Sequence, residues 1–114
     1  MKLPGLHAAV VPEKKINWYL LSLSHPSGRT KAAFFSRFGF TSDSWQVLKK
    51  SLMSHAADHD VSTIEESDFG IKYIVEGELR TPDGRNPIVR VVWFIARGQT
   101  TPHLVTAYPC EQRS

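Results

Sequence analysis

The apolar residues of the first half of the chain recur at helical spacing. A first stripe predicts a helix from about residue 12 to 23, with Pro12 and Glu13 in its first turn, and consists of Ile16, Tyr19, Leu20 and Leu23. Pro26 and Gly28 break this pattern. A short second helix is predicted from about Thr30 or Lys31 to Gly39, a good residue to follow a helix, and its stripe is Ala32, Phe35 and Phe38.

A third helix of about 17 residues is predicted after Thr41, whose hydroxyl can cap its first turn. Its apolar face consists of Trp45, Leu48, Leu52, Met53 and Ala56. The first half of the chain therefore predicts two to three helices.

After Asp60 the pattern changes from helical to alternating, which is typical of strands. Four strands are predicted, over Val61 to Glu66, Ile71 to Arg80, Pro87 to Ala96 and Leu104 to Tyr108. The turn sequence Thr81-Pro82-Asp83-Gly84 joins the second and third strands in a hairpin, and the third strand is apolar on both faces, which favours a central position. The pattern predicts an α+β fold, with the helices packed on one face of a four-stranded antiparallel sheet.

Composition narrows the possible classes of protein. With 114 residues, 41% hydrophobic and 22% charged, the chain is predicted to form a single domain, residues 1–114, with its own core. One cysteine, Cys110, excludes an internal disulfide, and the five scattered histidines form no tetrahedral Cys/His zinc pattern, so we expect no metal and no cofactor.

The sequence has no signal-peptide pattern and no apolar run of about 18 residues, so we expect a cytoplasmic protein with no membrane partner. A net charge of +3 permits an anionic partner such as RNA.

The segment SHPSGRTKAAFF, residues 24 to 35, is the first candidate site. Its helix N-terminus offers unpaired amides, Arg29 and Lys31 add positive charge, and His25 can move a proton near neutral pH, so the cluster could hold a phosphodiester. The alternative is a simple junction between two helices, in which Arg29 and Lys31 are solvated.

The segment PHLVTAYP, residues 102 to 109, is the second candidate. Strand alternation places Leu104, Thr106 and Tyr108 on one face and His103 on the other, so two hydroxyls could point into a cleft. The alternative is an edge of the core with satisfied hydroxyls.

Two further patterns suggest no catalytic role. His55 and His59 have the i, i+4 spacing of a metal-binding pair, but no third ligand completes a site, and we expect cationic histidines at a helix C-terminus. Cys110 has no basic neighbour in sequence that would make it a nucleophile.

An uncharacterised family of small bacterial single-domain proteins, marked by HPxGxxKA and VTAYP motifs, is resembled by five segments of the chain: KLP near the start, HPSGRTKAAFF, FGIKYIVEGEL, TPDGR and PHLVTAYP. His103 stands where that family usually has an arginine. More loosely, helices followed by a four-stranded sheet with a final TAYP are similar to the superfamily of barnase, EndoU-type and RelE-like RNase toxins.

The looser resemblance implies roles for individual residues. It implies that His25 is the general acid or base, that Lys31 stabilises the phosphate in the transition state, and that Thr106 and Tyr108 position the substrate. The expected catalytic residues are therefore His25, Lys31 and Tyr108. The expected substrate-binding residues are Arg29, His103 and Thr106. The second catalytic histidine of EndoU-type enzymes has no clear match in this chain.

Three functions follow as hypotheses. The first is a metal-independent endoribonuclease of the toxin type. The second is a non-enzymatic interaction protein, the partner of a small neighbour-encoded protein in a toxin-antitoxin or immunity-like pair, since twelve aromatic residues on a short chain suit an interface. The third is an anion-binding or nucleotide-binding module without catalysis. A cleft joining His25, Lys31 and Tyr108 would favour the nuclease, and an exposed aromatic patch would favour the interaction protein.

Overall fold

The computed structural model describes residues 1–22, 24 and 29–110. Helix α1 begins as an α-helical turn at Glu13–Lys15 and continues as a π-helix over Ile16–Leu20. Helix α2 spans Arg29–Arg37 and helix α3 spans Trp45–Asp58. The strands are β1 (Val61–Ser67), β2 (Gly70–Glu78), β3 (Ile88–Ala96) and β4 (His103–Pro109). None of the helices in the described ranges is long and apolar enough to cross a membrane.

The four strands form one antiparallel sheet in the order β1-β2-β3-β4, so each strand pairs with the next along the chain. This confirms the predicted α+β fold, the four strands to within about two residues, and the internal position of β3. The predicted turn is also confirmed, because the Gly84 amide donates to the Thr81 carbonyl at 3.0 Å and Gly84 adopts a left-handed φ of 79°.

The core lies between the helices and one face of the sheet. From β3 it receives Val89, Val91 and Trp93, which are fully buried. The helices contribute a buried set to the same cluster: Ile16, Leu20, Phe35, Leu48, Leu52 and Ala56. The helical stripes and the strand alternation identified in the sequence therefore meet in one core.

The helix ends differ in detail from the sequence expectation. The first helix ends at Leu20, not at residue 23, because the chain widens into a π turn in which the Leu21 amide donates to the Ile16 carbonyl at 2.7 Å. Thr41 is a cap as predicted, but it accepts from the Ser44 amide at 3.3 Å in a 3-10 turn, Ser42–Ser44, that precedes α3.

The structure corrects the interpretation of His55. This residue is 1% exposed, and its Nε2 lies 3.0 Å from the Val89 carbonyl and 3.2 Å from the Gly77 carbonyl, so α3 is fastened to β2 and β3. Burial lowers the pKa of His55, and the nearby His59 lowers it further, which together outweigh the hydrogen bonds and the Asp58 charge that raise it. His55 is therefore a neutral core residue and not a cation at a helix end.

Candidate functional site

A cavity of about 650 Å³ lies between α2 and the end of β4. Helix α2 contributes Thr30, Lys31, Ala33, Phe34 and Arg37, and β4 contributes Tyr108 and Pro109. The helix positions are three or four residues apart, so they form one side of α2, while Ala32 and Phe35 on the other side are buried in the core. The burial of Phe35 thus fixes which residues of α2 face the cavity.

The cavity combines positive charge with apolar walls. Lys31 and Arg37 supply the charge, and none of the other described residues that line the cavity is acidic. Phe34 and Tyr108 are partly buried aromatic side chains on its walls. A site of this size, charge and composition fits an anionic ligand with a planar group that can stack on an aromatic ring.

Tyr19 connects Lys31 to β4. Its hydroxyl lies 3.2 Å from the Thr106 hydroxyl, and the Lys31 ammonium lies 5.3 Å from the centroid of its ring. Lys15, one helical turn before Tyr19, places its ammonium 5.2 Å from the same centroid. Burial raises the pKa of Tyr19, but hydrogen bonds with Thr106 and Lys31 and the charges of Lys31 and Lys15 together lower it by more.

A row of polar side chains crosses the sheet beside the cavity. The register aligns Glu76 on β2, Arg90 on β3 and Tyr108 on β4. Arg90 donates to Glu76 Oε2 from Nε at 3.0 Å and from Nη2 at 2.7 Å, and its guanidinium lies 5.7 Å from the centroid of the Tyr108 ring. The row places a fixed guanidinium next to an aromatic wall of the cavity.

Cys110 extends this row. Its thiol donates to Glu76 Oε2 at 3.0 Å. Hydrogen bonds from Cys110 and Arg90 lower the pKa of Glu76 to about 2, and the same carboxylate raises the pKa of the Cys110 thiol. Cys110 is thus held as a protonated donor, consistent with the expectation that it is not a nucleophile.

The structure brings together part of the predicted site. Lys31 and Tyr108 line the same cavity. Thr106 contacts the Tyr19 hydroxyl, and Lys31 contacts the Tyr19 ring. Arg29 is exposed at the first position of α2 and does not line the cavity. His25 lies outside the described residues.

His103 is distant from this group. It is exposed at the opposite end of β4 from Tyr108, about 17 Å away at about 3.3 Å per strand residue. The structure therefore does not place His103 at the cavity.

The predicted alternation of β4 is wrong at its centre. The pairing with β3 shifts by one residue between Val92 and Trp93, so that Leu104 and Ala107, three residues apart, are both buried. This bulge turns the C-terminal part of β4 by one position. Leu104 and Tyr108 consequently do not share a face, and Tyr108 aligns with the polar Arg90.

Sequence reasoning missed several residues of the site. Tyr19 belongs to the apolar stripe of the first helix, and that pattern gives no sign of a polar role. Phe34 and Arg37 could have been found from their spacing to Lys31, which is three and six residues along the same helix. Arg90 gave no signal, because its contacts with Glu76 and Tyr108 depend on the register of three strands.

We expect the contact between Tyr19 and Thr106 to contribute about 0.5–1.5 kcal/mol to the free energy of unfolding. A double-mutant cycle of Tyr19→Phe and Thr106→Val, measured by urea unfolding, isolates this term because each change removes one hydroxyl and keeps the side chain's shape. The cycle is its own control. Strictly additive effects of the two changes would contradict the contact.

In the part of the chain that the structure describes, no three His, Cys, Asp or Glu side chains are grouped closely enough to hold a metal ion.

Comparison with known proteins gives one family and one related fold. The family model of the domain of unknown function DUF6883 matches residues 2–111. Among solved structures, the chain is similar to a chain of a contact-dependent growth inhibition toxin–immunity protein complex from Klebsiella pneumoniae 342. That likeness has a TM-score of 0.72 and 16% identity, over 95% of this chain and 98% of the other, and it shows a shared fold. The search of curated proteins found no match.

Proposed function

The chain belongs to the DUF6883 family of domains of unknown function, and we propose from its own site that it is a metal-independent endoribonuclease of the toxin type. The observation that carries this proposal is that Lys31 on α2 and Tyr108 on β4 line one positively charged cavity. Two segments more than seventy positions apart in sequence, each with its own motif, supply these walls.

The cavity supports binding of an RNA strand. Lys31 and Arg37 attract the phosphates, and Phe34 and Tyr108 offer aromatic surfaces on which a base can stack. Base stacking on an aromatic ring contributes about 1–3 kcal/mol and tolerates any base. The fold that the chain shares with a chain of a toxin–immunity protein complex supports a toxin or immunity-like role, and the charged cavity favours the toxin.

The proposed reaction is attack of the ribose 2′-oxygen on the adjacent phosphorus. The new bond joins the 2′-oxygen to phosphorus, and the bond from phosphorus to the 5′-oxygen breaks. A base takes the 2′-hydroxyl proton, and an acid returns a proton to the leaving 5′-oxygen. The products are a 2′,3′-cyclic phosphate and a free 5′-hydroxyl, and no oxidant or cofactor is consumed.

The residues take distinct roles in this reaction. Lys31 stabilises the charge that accumulates on the phosphate oxygens. Tyr108 positions the substrate from β4, and Thr106 contacts the Tyr19 side chain that holds Lys31. His25, six residues before Lys31, is the proposed proton carrier on the strength of its sequence position and chemistry.

A protein partner is the second candidate function. Trp18 is 71% exposed on the first helix and Phe69 is 80% exposed between β1 and β2, and exposed aromatic residues suit a protein interface. The related fold comes from a complex of two proteins. This function does not exclude the first, since a toxin-type nuclease requires a neutralising partner in the cell that makes it.

We expect the purified protein to cleave RNA in the presence of EDTA and to leave 2′,3′-cyclic phosphate ends. The measurement is end-group analysis of the fragments by mass spectrometry, with a 2′-deoxy oligonucleotide of the same sequence as the control. Cleavage of the deoxy control, or cleavage that EDTA abolishes, would contradict the proposed chemistry. A protein that cleaves no RNA but binds the product of a neighbouring gene would favour the second function.

A further inference from the structure

The pair of lysines around Tyr19 extends beyond the cavity. Lys31 lines the cavity, whereas Lys15 lies outside it, on α1. Their ammonium groups are 5.3 Å and 5.2 Å from the centroid of the Tyr19 ring. Two elements that are separate in sequence thus direct two positive charges at one aromatic ring.

This arrangement concentrates positive charge around one aromatic ring. Each ammonium lies at cation–π distance from the ring, and an anion beside the two lysines is attracted by both charges. Among the described residues, no carboxylate lies within 4.0 Å of the Lys15 ammonium. The nearest acid along the helix, Glu13, instead accepts a hydrogen bond from the Asn17 amide at 3.2 Å.

The cluster is also fixed in place. The Tyr19 hydroxyl is tied to Thr106 on β4, and the π-helix that carries Tyr19 is anchored by Ile16 and Leu20, which are fully buried. Burial raises the pKa of Tyr19, but hydrogen bonds and the charges of both lysines lower it by more. The Tyr19 hydroxyl therefore lies in a positive electrostatic environment. A preorganised positive cluster of this kind loses little entropy when an anion binds.

We infer that Lys15, Tyr19 and Lys31 form a second anion subsite, next to the cavity, that binds a neighbouring phosphate of the same single nucleic-acid strand. The inference rests on the proposed function, because it takes the strand to be the one whose reacting phosphate lies in the cavity. Lys31 is shared by the two positions, and Lys15 belongs to the second one alone. The protein therefore prefers a strand that continues beyond the cleaved bond.

The test compares Lys15→Gln with Lys14→Gln. Both changes remove one positive charge from adjacent positions and keep a long side chain of good helix propensity, but Lys14 is exposed and Lys15 is half-buried beside Tyr19. The probe is a fluorescent 2′-deoxy oligonucleotide of about eight nucleotides, a length within the site sizes of single-strand-binding proteins. It lacks the attacking hydroxyl and cannot be cleaved by the proposed route. Affinity is measured by anisotropy over a range of salt concentrations.

We expect Lys15→Gln to weaken binding several-fold and to reduce the slope of log affinity against log salt by about 0.7, the value for one phosphate contact on a single strand. Lys14→Gln should leave the slope unchanged. Equal slopes for the wild type and Lys15→Gln, equal losses in the two variants, or no binding of the probe by the wild type would overturn the inference.

Cleavage of RNA by the wild type is measured separately and reports on the proposed function alone. Absence of cleavage together with a smaller slope in Lys15→Gln would refute the nuclease and retain the anion subsite. Cleavage together with unchanged slopes would retain the nuclease and refute the subsite.

Discussion

Lys31→Ala is expected to lower the rate of RNA cleavage by about 10²- to 10³-fold, the usual effect of removing one group that stabilises transition-state charge. Lys31 is the charged residue that both lines the cavity and contacts Tyr19, so its loss removes the charge at the phosphate and the link to β4. Binding should weaken as well, since Lys31 is shared by the two phosphate positions, so the chemical step is compared at saturating protein, where Arg37 and Lys15 still attract the strand. The measurement is single-turnover cleavage of a defined RNA at saturating protein.

Lys50→Ala is the matched control for this experiment. Lys50 is an exposed lysine on α3 outside the cavity, so its removal changes the net charge by the same amount without touching the site. Thermal unfolding of both variants shows whether the fold is intact. A Lys31→Ala protein that folds and cleaves as fast as Lys50→Ala would remove Lys31 from the mechanism.

The second large effect is a loss of stability at mildly acidic pH that depends on His55. The folded state holds the pKa of His55 below the value of about 6.5 for a free histidine, with burial as the largest cause. Below about pH 6.5 the unfolded chain therefore binds a proton that the folded chain does not. Stability from this group is present above that pH and is lost as the pH falls, with a slope of up to about 1.4 kcal/mol per pH unit.

Urea unfolding at a series of pH values between 5 and 8 measures this slope. His55→Leu should flatten it and also destabilise the protein by about 1–3 kcal/mol at pH 8, because the Gly77 and Val89 carbonyls lose a donor. His7→Gln, which replaces a histidine at an exposed position, is the control variant. The pKa of Glu76 is lowered to about 2, so this group affects stability only below about pH 4.5. The pH ranges in which His55 and Glu76 change the free energy of unfolding are therefore separate. An unchanged slope in His55→Leu would contradict the assignment.

The elements of the fold follow from patterns that are local in the sequence. Helical spacing of apolar residues and alternation after Asp60 are visible within windows of about ten residues, and the turn at Thr81 to Gly84 has its own chemistry. The irregular features are not local. The bulge in β4 lets Leu104 and Ala107, three residues apart, both face the core beneath β3, and a window on one strand does not contain that information.

The site residues likewise divide into those that a local sequence pattern identifies and those that only tertiary contacts identify. The motifs around Lys31 and Tyr108 could be identified as candidates, since each contains unusual polar residues next to an apolar run. Tyr19 could not, because a tyrosine on an apolar stripe has the same sequence signature whether its hydroxyl reaches water, a core partner or a lysine. His55 was misassigned for a related reason: its spacing to His59 is local, but its burial depends on strands β2 and β3.

The contact between Val10 and β4 has a consequence for how the chain folds. Val10 forms an isolated parallel bridge with His103, its amide donating to the Pro102 carbonyl at 2.9 Å and its carbonyl accepting from the Leu104 amide at 3.0 Å. Within the described ranges, the four strands of the sheet each pair with their neighbours in sequence, so the meander can assemble in order as it emerges from the ribosome. The segment around Val10 must wait for β4, which follows it by more than ninety residues. We expect this closure to be among the final events of folding, and until it occurs one edge of β4 remains available to another strand.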